Sequence, residues 1–424
     1  MYFQQISIKN FKAVKEMELE FTPGVNLLTG DNGAGKTSVL EAITSGLCGM
    51  LKGVQDVSVK GIQQSDIHFY MEERGDASSE IHYVTPVEIA CTLKREQQEF
   101  HWKRIRKDEN GYSRTKMEDD GIEKWMRTIS NDSSAVLPLI SFQSDARSWP
   151  SSRGSAEKDL KKKLNDRRCG YIGCLDYSLD IGGIRAWCLK MELNAFQKKR
   201  EIKEYEAFKG IVAAFMKKID NLETSPDIYY SSQLEQLVYR QGDMTMPVSN
   251  LSAGYQSLLW IVMNLAYRLA LLNPEQSENL KNTEGIVLID EVDMHLHPKW
   301  QWNIVGALEE TFPNIQFILA THSPIVISSC KNRQMVWIGE DQEVMYLKDA
   351  YGYSVQEVLK LRQGTTEKPR EIKEIFEQFD EAIQKDELES AEMMIGKMEE
   401  LLGEDHMDVK GAKDELQLNR WIED

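Results

Sequence analysis

The 424-residue sequence contains six cysteines, and no two of them form the CxxC pair of a zinc site or a redox motif. The first ten residues, MYFQQISIKN, lack the charged start and the apolar core of a secretory signal. The most apolar stretch, residues 258–272, is shorter than a membrane span and carries Asn264 and Arg268, so it predicts a buried helix. We therefore expect a cytoplasmic protein with reduced thiols and no membrane partner.

Positive charge is also scarce across the whole chain. Lysine and arginine together number 51 against 68 aspartates and glutamates, which gives a net charge of −17. A protein that coats nucleic acid with its entire surface is thereby excluded, whereas a local basic groove is not. The sequence also lacks internal repeats, low-complexity tracts and the long heptad run of a coiled coil.

Hydrophobic patterning divides the sequence into four segments. Residues 1–143 are rich in predicted strands and include a predicted hairpin around the polar turn 95–98. Residues 144–247 change to Ser/Gly-rich loops followed by charged helices. Strand–loop–helix patterning returns over residues 248–348, and residues 349–424 are predicted to form an acidic helical region.

A phosphate-binding loop follows the predicted strand 25–29. Residues 30–37, GDNGAGKT, match the pattern G-x-x-x-x-G-K-[ST], and a helix is predicted over 36–47 directly after them. The glycines let backbone N–H groups wrap a phosphate, while Lys36 reaches its oxygens and Thr37 takes a Mg²⁺ position. We predict that ATP and Mg²⁺ bind here rather than that the loop is a plain turn. The predicted nucleotide contacts are Gly30, Asn32, Gly33, Ala34, Gly35, Lys36, Thr37 and Ser38.

Two acids follow a run of four aliphatic residues, 286–289. A buried parallel strand would deliver the carboxylates of Asp290 and Glu291 to the carboxyl edge of the sheet, where α/β proteins bind ligands. We predict that Asp290 holds Mg²⁺ through water and that Glu291 polarises the attacking water as a general base. Any strand can end in acidic residues, so this pattern alone is a weak signal. Together with the phosphate loop it becomes strong evidence for a nucleotide site.

Two further segments, LSAGYQ at 251–256 and ATHSP at 320–324, resemble the signature motif and the switch histidine of ABC-type ATPases. The resemblance implies that ATP lies between the phosphate loop of one protomer and the signature of a second, so that the working form is a homodimer or a higher oligomer. His322 would contact the γ-phosphate in its own chain; a core histidine is the alternative. The signature residues that would serve the partner's nucleotide are Ser252, Gly254 and Gln256.

The same resemblance gives a meaning to two other patterns. Gln143, after the strand predicted over 137–142, matches the glutamine that such ATPases place near Mg²⁺ and the attacking water, although an ordinary strand-end glutamine looks the same. Arg147, a few residues later, is a weaker candidate for a phosphate contact. His295 and His297 lie where these proteins have the D-loop, which communicates between two ATP sites. A zinc site is the alternative there, and no third ligand is evident for it.

The opening ISIKNFK, residues 6–12, resembles RecF and SMC-type ATPases. The segments LIDEVDMHLHPKWQ and ATHSPIVI resemble small ATPases of bacterial anti-phage systems, which include the OLD-like proteins and PtuA, the ATPase subunit of Septu systems. This resemblance covers residues 1–50 and 248–348 well and 150–245 poorly. It implies an α/β fold: an ABC-type ATPase head with a mixed phosphate-loop sheet, an antiparallel β subdomain, a helical insertion lobe and a C-terminal helical appendage.

The sequence lacks the residues of a nuclease. OLD-like proteins carry a Toprim nuclease after the ATPase, which needs a D-x-D pair, and no D-x-D follows His322. The seven histidines offer no H-N-H site either. Septu-like systems pair such an ATPase with a separate HNH nuclease, so the resemblance implies that any cleavage comes from a partner.

Three functions remain open. The first is an ATP-hydrolysing ABC-type ATPase that regulates a partner nuclease in anti-phage defence. The second is a RecF- or SMC-like DNA-repair or DNA-tethering ATPase without a nuclease partner, and the third is the nucleotide-binding subunit of a transporter.

Uneven charge marks the candidate partner surfaces. The tail, residues 365–424, holds 19 acidic and 8 basic side chains and suits a basic partner. Residues 158–203 hold 12 basic and 6 acidic side chains and are the candidate nucleic-acid contact. For the basic stretches 94–107 and 158–168, a solvated face is the alternative.

Overall fold

The computed structural model describes residues 1–31, 33–74, 78–145, 166–348, 350–362 and 369–423. The chain divides into two compact units, Met1–Val355 and Gln356–Asp424. The finer division drawn from the sequence, with boundaries at 143, 247 and 348, stays a prediction.

The elements are numbered in chain order. The strands are β1 (Tyr2–Phe11), β2 (Val14–Glu20), β3 (Val25–Gly30), β4 (Phe69–Arg74), β5 (Ser78–Tyr83), β6 (Val87–Arg95), β7 (Gln98–Arg106), β8 (Lys116–Asp119), β9 (Leu139–Gln143), β10 (Asp227–Ser231), β11 (Gln236–Gln241), β12 (Met244–Pro247), β13 (Gly285–Ile289), β14 (Ile315–Ala320), β15 (Gln334–Ile338) and β16 (Val344–Leu347). The helices are α1 (Lys36–Leu51), α2 (Ile122–Asn131), α3 (Ile181–Lys198), α4 (Lys203–Ile219), α5 (Ala253–Leu272), α6 (Pro298–Gln301), α7 (Ile304–Thr311), α8 (Pro324–Ser329), α9 (Val355–Arg362), α10 (Arg370–Gln384), α11 (Leu388–Leu402) and α12 (Met407–Glu423).

A six-stranded mixed sheet lies at the centre of the first unit, in the order β16-β15-β3-β14-β13-β9. Its neighbouring strands are parallel except for the pair β15 and β16. Every residue of β13 and β14 is buried, which explains why these strands read as continuous apolar runs rather than as alternating patterns. The parallel strands therefore bring the segments after β3, β9, β13 and β14 to one edge.

A second, antiparallel sheet has the order β2-β1-β6-β7-β8. The predicted hairpin is confirmed, since β6 and β7 pair in register up to Arg95 opposite Gln98. Helix α1 packs closely on this sheet: Trp102 Nε1 donates to Gly46 O at 2.8 Å, and a Cβ at Gly46 would lie only 2.4 Å from Cys91 Sγ. The helix that carries the phosphate loop is thus held by a tight glycine contact.

The segment after residue 166 forms a lobe of helices α3 and α4, packed on the buried helix α5 around aromatic side chains. Trp187 is the centre of this cluster, with ring centroids 5.3 Å from Phe208 and 5.5 Å from Tyr267. The lobe also contains the antiparallel sheet β10-β11-β12, which the sequence analysis did not predict. These strands are short and mix polar with apolar residues, so their pattern is weak.

The second unit consists of helices around its own small core. Ile375 and Phe379 on α10, Met394 and Met398 on α11, and Val409 on α12 are buried together. The helical spacing predicted for this acidic region is confirmed. In the described part of the chain, no helix combines the length and the apolar character needed to cross a membrane.

Candidate active site

The phosphate loop is built around glycines in a backbone conformation that residues with a side chain rarely adopt. Gly30, Gly33 and Gly35 all have positive φ, at 133°, 82° and 100°. A Cβ at Gly30 would lie 2.0 Å from the carbonyl oxygen of Ile338 on the neighbouring strand. Gly35 is the N-cap of α1, whose free N–H groups suit an anion and whose own first turn adds no acidic side chain.

Lys36 lies beneath this loop and is 5% exposed. Its Nζ donates to the carbonyl oxygens of Gly30 and Asp31, at 2.9 and 2.7 Å. Burial lowers the pKa of the Lys36 ammonium below its ordinary value, although the carboxylates of Glu291, Asp31 and Asp290 act to raise it. The lysine is therefore placed where the loop and the acidic strand end meet.

The other predicted loop contacts differ in exposure. Ala34 is buried, Ser38 is half-buried and Thr37 is exposed at the first turn of α1. Asn32 lies outside the described residues, as does Arg147.

The two acids lie directly after β13, as the aliphatic run indicated. Asp290 is 2% exposed, and its N–H donates to the carbonyl oxygen of Gln143 at 2.8 Å, which continues the pairing of β13 with β9. Glu291 has φ 46°, an uncommon conformation for a residue with a side chain. A tight turn begins at Glu291, in which Met294 N donates to Glu291 O at 3.0 Å.

His322 follows the neighbouring strand β14 and reaches the same place. Its Nε2 lies 3.5 Å from Glu291 Oε1, and both side chains are about one-third exposed, at 33% and 32%. Burial, followed by the positive charge of Lys36, lowers the pKa of the His322 imidazole, whereas Asp293 and Asp31 act to raise it. The imidazole is consequently neutral at pH 7.

Gln143 is also at this edge, but its side chain is fully buried against helix α5. Its Nε2 donates to Ile261 O at 3.3 Å, and its Oε1 accepts no hydrogen bond from the described residues. The unpaired oxygen, one strand away from Asp290, is chemically suited to Mg²⁺ or to water. Its catalytic role stays a prediction.

The signature segment is shaped by its own side chains. Gln256 Nε2 donates to Leu251 O and Ser249 O, at 2.8 and 3.1 Å, so this side chain fixes the turn before α5. Ser252 is exposed at the N-cap of α5. Gly254 packs on the D-loop segment: a Cβ there would lie 2.7 Å from His295 O and 2.9 Å from the Trp300 ring.

Within the described residues, no hydrogen bond or ion pair joins residues 251–256 to the phosphate loop of the same chain.

Asp293 and Gln301 contact the residues on either side of His322, which the sequence did not reveal. Thr321 Oγ1 donates to Asp293 Oδ1, and Ser323 Oγ donates to Gln301 Oε1 at 2.6 Å. The predicted zinc alternative receives no support, because the described residues contain no group of three or more metal-ligating side chains. His297 instead caps α6, where its Nδ1 accepts from Lys299 N at 3.2 Å.

Two arginines of the first basic stretch, 94–107, are internal, whereas Lys107 is exposed and Lys94, Arg95 and Lys103 are half-buried. Arg104 and Arg106 on β7 are buried, at 5% and 3% exposed, and donate to backbone carbonyls that include Lys60 O and Ile62 O. Neither arginine is available to nucleic acid. Residues 158–165 of the second stretch lie outside the described residues, and Arg167 donates to Ala135 O at 2.7 Å.

The donor set at the sheet edge fits Mg²⁺ and a nucleoside triphosphate. Asp290, the Thr37 hydroxyl and the buried Gln143 oxygen are hard oxygen donors, which Mg²⁺ prefers, and Mg²⁺ commonly keeps several waters. The loop of positive-φ glycines supplies N–H groups for phosphate oxygens. These are the residues that would hold the metal and the nucleotide.

Comparison with known proteins places this arrangement in context. Residues 5–238 match the family model described as AAA domain. The Retron Vc95 probable ATPase of Vibrio cholerae serotype O1 biovar El Tor is 28% identical over 391 residues, covering 80% of this chain and 73% of that protein. The Septu protein PtuA of Bacillus thuringiensis is 23% identical over 382 residues, covering 87% of this chain and 85% of that protein.

Among solved structures, the SmcHead bound to the C-winged helix domain of ScpA aligns with a TM-score of 0.50 and 16% identity, covering 82% of this chain and 98% of that one. This likeness shows the fold, and the predicted ABC-type head is confirmed. Because the family model matches more than half of its residues, the chain belongs to the AAA domain family, with the architecture of an ABC-type ATPase head.

Proposed function

We propose that this chain hydrolyses ATP with Mg²⁺ at the edge of the central sheet, that two copies close around the nucleotide, and that closure regulates a separate nuclease in anti-phage defence. The observation that carries the proposal is the meeting of Lys36, Glu291 and His322 from three different elements at one place. Each of these groups has a distinct use in phosphoryl transfer.

The residues divide the chemistry between them. The loop N–H groups and Lys36 hold the β- and γ-phosphates and stabilise negative charge that builds up as the γ-phosphoryl group transfers. Glu291, turned out from the strand end, orients the attacking water and accepts its proton. His322 donates a hydrogen bond toward the γ-phosphate. Bound Mg²⁺ would neutralise charge on the phosphate oxygens.

The proposal of a shared site is supported by the exposed position of Ser252 and by the lack, within the described residues, of a hydrogen bond or ion pair from residues 251–256 to the phosphate loop. Ser252 is exposed at the positive end of α5, a helix of 20 residues whose N-terminal N–H groups suit a phosphate. In a closed dimer this helix end would face the nucleotide held by the phosphate loop of the second copy.

Mixing two inactive variants should restore activity. In Ser252→Arg the bulk and charge obstruct the partner's γ-phosphate, and in Lys36→Ala the phosphate charge is lost, so each homodimer is inactive. A heterodimer keeps one site with both motifs intact, and we expect roughly a quarter of wild-type turnover per chain in an equimolar mixture, because about half of the dimers carry one good site. Steady-state phosphate release measures this.

Ser133→Arg, at an exposed turn serine, is the matched control and should retain full turnover. A mixture that is no more active than the separate variants would contradict independent sites shared between copies.

Three observations support the proposal that closure regulates a separate nuclease. The two relatives described above are named as a retron probable ATPase and a Septu protein. In this sequence no D-x-D pair follows His322, and the histidines offer no H-N-H site. The second unit is a compact acidic body, which suits a basic surface on a partner.

We expect the purified chain to leave plasmid, single-stranded DNA and RNA intact with Mg²⁺ or Mn²⁺, with and without ATP. We also expect removal of residues 356–424 to abolish capture of a nuclease from the native host while ATP turnover changes less than about twofold, since the first unit has its own core. Gel analysis of the substrates and affinity capture with mass spectrometry measure the two results.

The same capture experiment can distinguish the effect of the second unit's negative charge from the effect of its folding. Glu389, Glu400 and Glu404 are exposed, and changing all three to glutamine should weaken capture in a salt-dependent way while the helices stay folded. Cleavage by the rigorously purified chain would contradict the proposal, and capture of recombination proteins instead would favour the DNA-repair function.

A further inference from the structure

The end of helix α4 makes an unusual set of contacts through one carboxylate. Asp220, directly after α4, is 14% exposed in its side chain. Its Oδ1 accepts from Trp300 Nε1 at 3.1 Å and from Lys299 Nζ at 3.0 Å. Its Oδ2 accepts from Tyr255 OH at 3.1 Å. Both oxygens are thus engaged by three donors from two other segments.

These donors belong to the two segments that the proposed closed dimer uses. Tyr255 lies in the signature, one residue after Gly254, whereas Lys299 and Trp300 follow the D-loop on α6. The Tyr255 and Trp300 rings meet edge-on with centroids 4.7 Å apart. A Cβ at Gly254 would lie 2.9 Å from the Trp300 ring, so the segments are in close contact with little room to adjust.

The backbone at the end of α4 is fixed to the same place. The carbonyl oxygens of Ile219 and Asp220 accept from Asn303 Nδ2 at 2.9 Å and from Lys299 Nζ at 3.2 Å. These are terminal helix carbonyls that need partners from outside the helix. Helix α4 has 17 residues and spans about 25 Å. It therefore connects the far side of the lobe rigidly to the signature and D-loop segments.

The hydrogen bonds at the end of α4 favour the charged form of the Asp220 carboxyl. Burial acts to raise the pKa of the Asp220 carboxyl, but the hydrogen bonds from Trp300, Lys299 and Tyr255 outweigh it, and the pKa lies below its ordinary value. The carboxylate is ionised at neutral pH, and hydrogen bonds to an ionised acceptor are stronger than neutral ones. Its loss would release all three donors together.

We propose that Asp220 is a positioning residue that locks the signature to the D-loop, so that both reach the partner's nucleotide in one geometry. This inference rests on the proposed shared site. Among the described residues, Asp220 makes no hydrogen bond or ion pair with the phosphate loop or with residues 290–291 and 321–322. Its removal should therefore impair closure and turnover while leaving nucleotide binding within one chain intact.

The test compares Asp220→Ala, Asp220→Asn and Asp220→Glu with Asp227→Asn. Asp227 is on the same lobe and bonds Arg240 at 2.8 Å, but it contacts neither segment. We expect turnover to fall about 10- to 100-fold in the alanine variant, less in the asparagine variant, and to recover partly with glutamate. The ATP dissociation constant should match that of Asp227→Asn, whereas the melting temperature should fall further in the Asp220 variants because three donors lose their acceptor.

Closure is measured separately in a Glu291→Gln background, by ATP-dependent dimerisation in analytical ultracentrifugation. The Asp220 variants should need about tenfold more protein to dimerise. Equal dimerisation and turnover in the Asp220 and Asp227 variants would overturn the inference. So would a loss of ATP affinity as large as the loss of turnover, because that is the result of general damage.

A double-mutant cycle with Tyr255→Phe tests whether Asp220 acts through its hydrogen bond with Tyr255 of the signature. Tyr255→Phe keeps the ring contact with Trp300 and removes only the hydroxyl donor. If Asp220 acts through the signature, Asp220→Asn should lower turnover clearly less in the Tyr255→Phe background than in wild type. Equal losses in both backgrounds would contradict that route. If wild-type protein shows neither ATP turnover nor an ATP-dependent dimer, the proposed function itself fails, whatever the variants do.

Discussion

Glu291→Gln is expected to lower ATP turnover by about 10²- to 10⁴-fold while ATP still binds, because it removes the proton acceptor and keeps the shape of the side chain. The charge of Lys36 and the loop N–H groups remain, so the nucleotide is held without being hydrolysed. The variant should therefore accumulate as an ATP-bound dimer. Phosphate release gives the turnover, and size-exclusion chromatography with and without ATP gives the dimer.

The ATP-dependent dimer is measured beside turnover because Glu291 also contacts His322, so that the substitution could disturb the site as well as remove the base. Glutamine can retain a hydrogen bond to the imidazole, so a fall in turnover with ATP affinity unchanged identifies the base rather than a disturbed site. Glu109→Gln, in an exposed loop, is the matched control and should behave as wild type. Turnover in Glu291→Gln equal to that control would remove Glu291 from the catalytic role.

Lys36→Ala is expected to weaken ATP binding by at least about tenfold and to lower turnover by about 10²- to 10³-fold, because one positive charge at the phosphates is lost. ATP at 100 times its dissociation constant adds about 2.7 kcal/mol to the stability of a protein that binds it. The same ATP concentration should then raise the melting temperature of wild-type protein clearly and that of the variant much less.

Lys52→Ala is the matched control for this experiment. Lys52 caps the other end of the same helix, is 54% exposed and pairs with Glu123 at 3.2 Å. Its loss should cost no more than about 1 kcal/mol of stability and leave the ATP-induced shift unchanged. An undiminished shift in Lys36→Ala would mean that ATP binds elsewhere or without this lysine.

Much of the candidate site could be predicted because it depends on local patterns. The spacing of Gly30, Gly35 and Lys36 requires a phosphate loop between a strand and a helix, and the structure contains both. The acids after β13 and the histidine after β14 follow adjacent parallel strands, whose carboxyl ends meet at one edge. The meeting of Glu291 and His322 is a consequence of that rule.

Other features depended on contacts that no local pattern contains. Gln143 ends a strand as predicted, but the packing of α5 over β9 decides that its amide faces Ile261. The zinc alternative at His297 depended on neighbours that the fold does not supply among the described residues, and the ring caps a helix instead. The basic residues of β7 read as surface charge in the sequence, but the structure shows that Arg104 and Arg106 are buried and donate to backbone carbonyls.

The sequence by itself determined where the candidate nucleotide site lies, because the glycine loop, the two acids and the histidine follow particular strand ends at short, fixed spacings. Only the tertiary structure decided how the signature and the D-loop are held. Asp220 is 35 residues from Tyr255 and 80 from Trp300 along the chain. Their contact exists because α4, α5 and α6 pack together, and packing between distant segments depends on the shape of the whole core rather than on any one stretch of sequence.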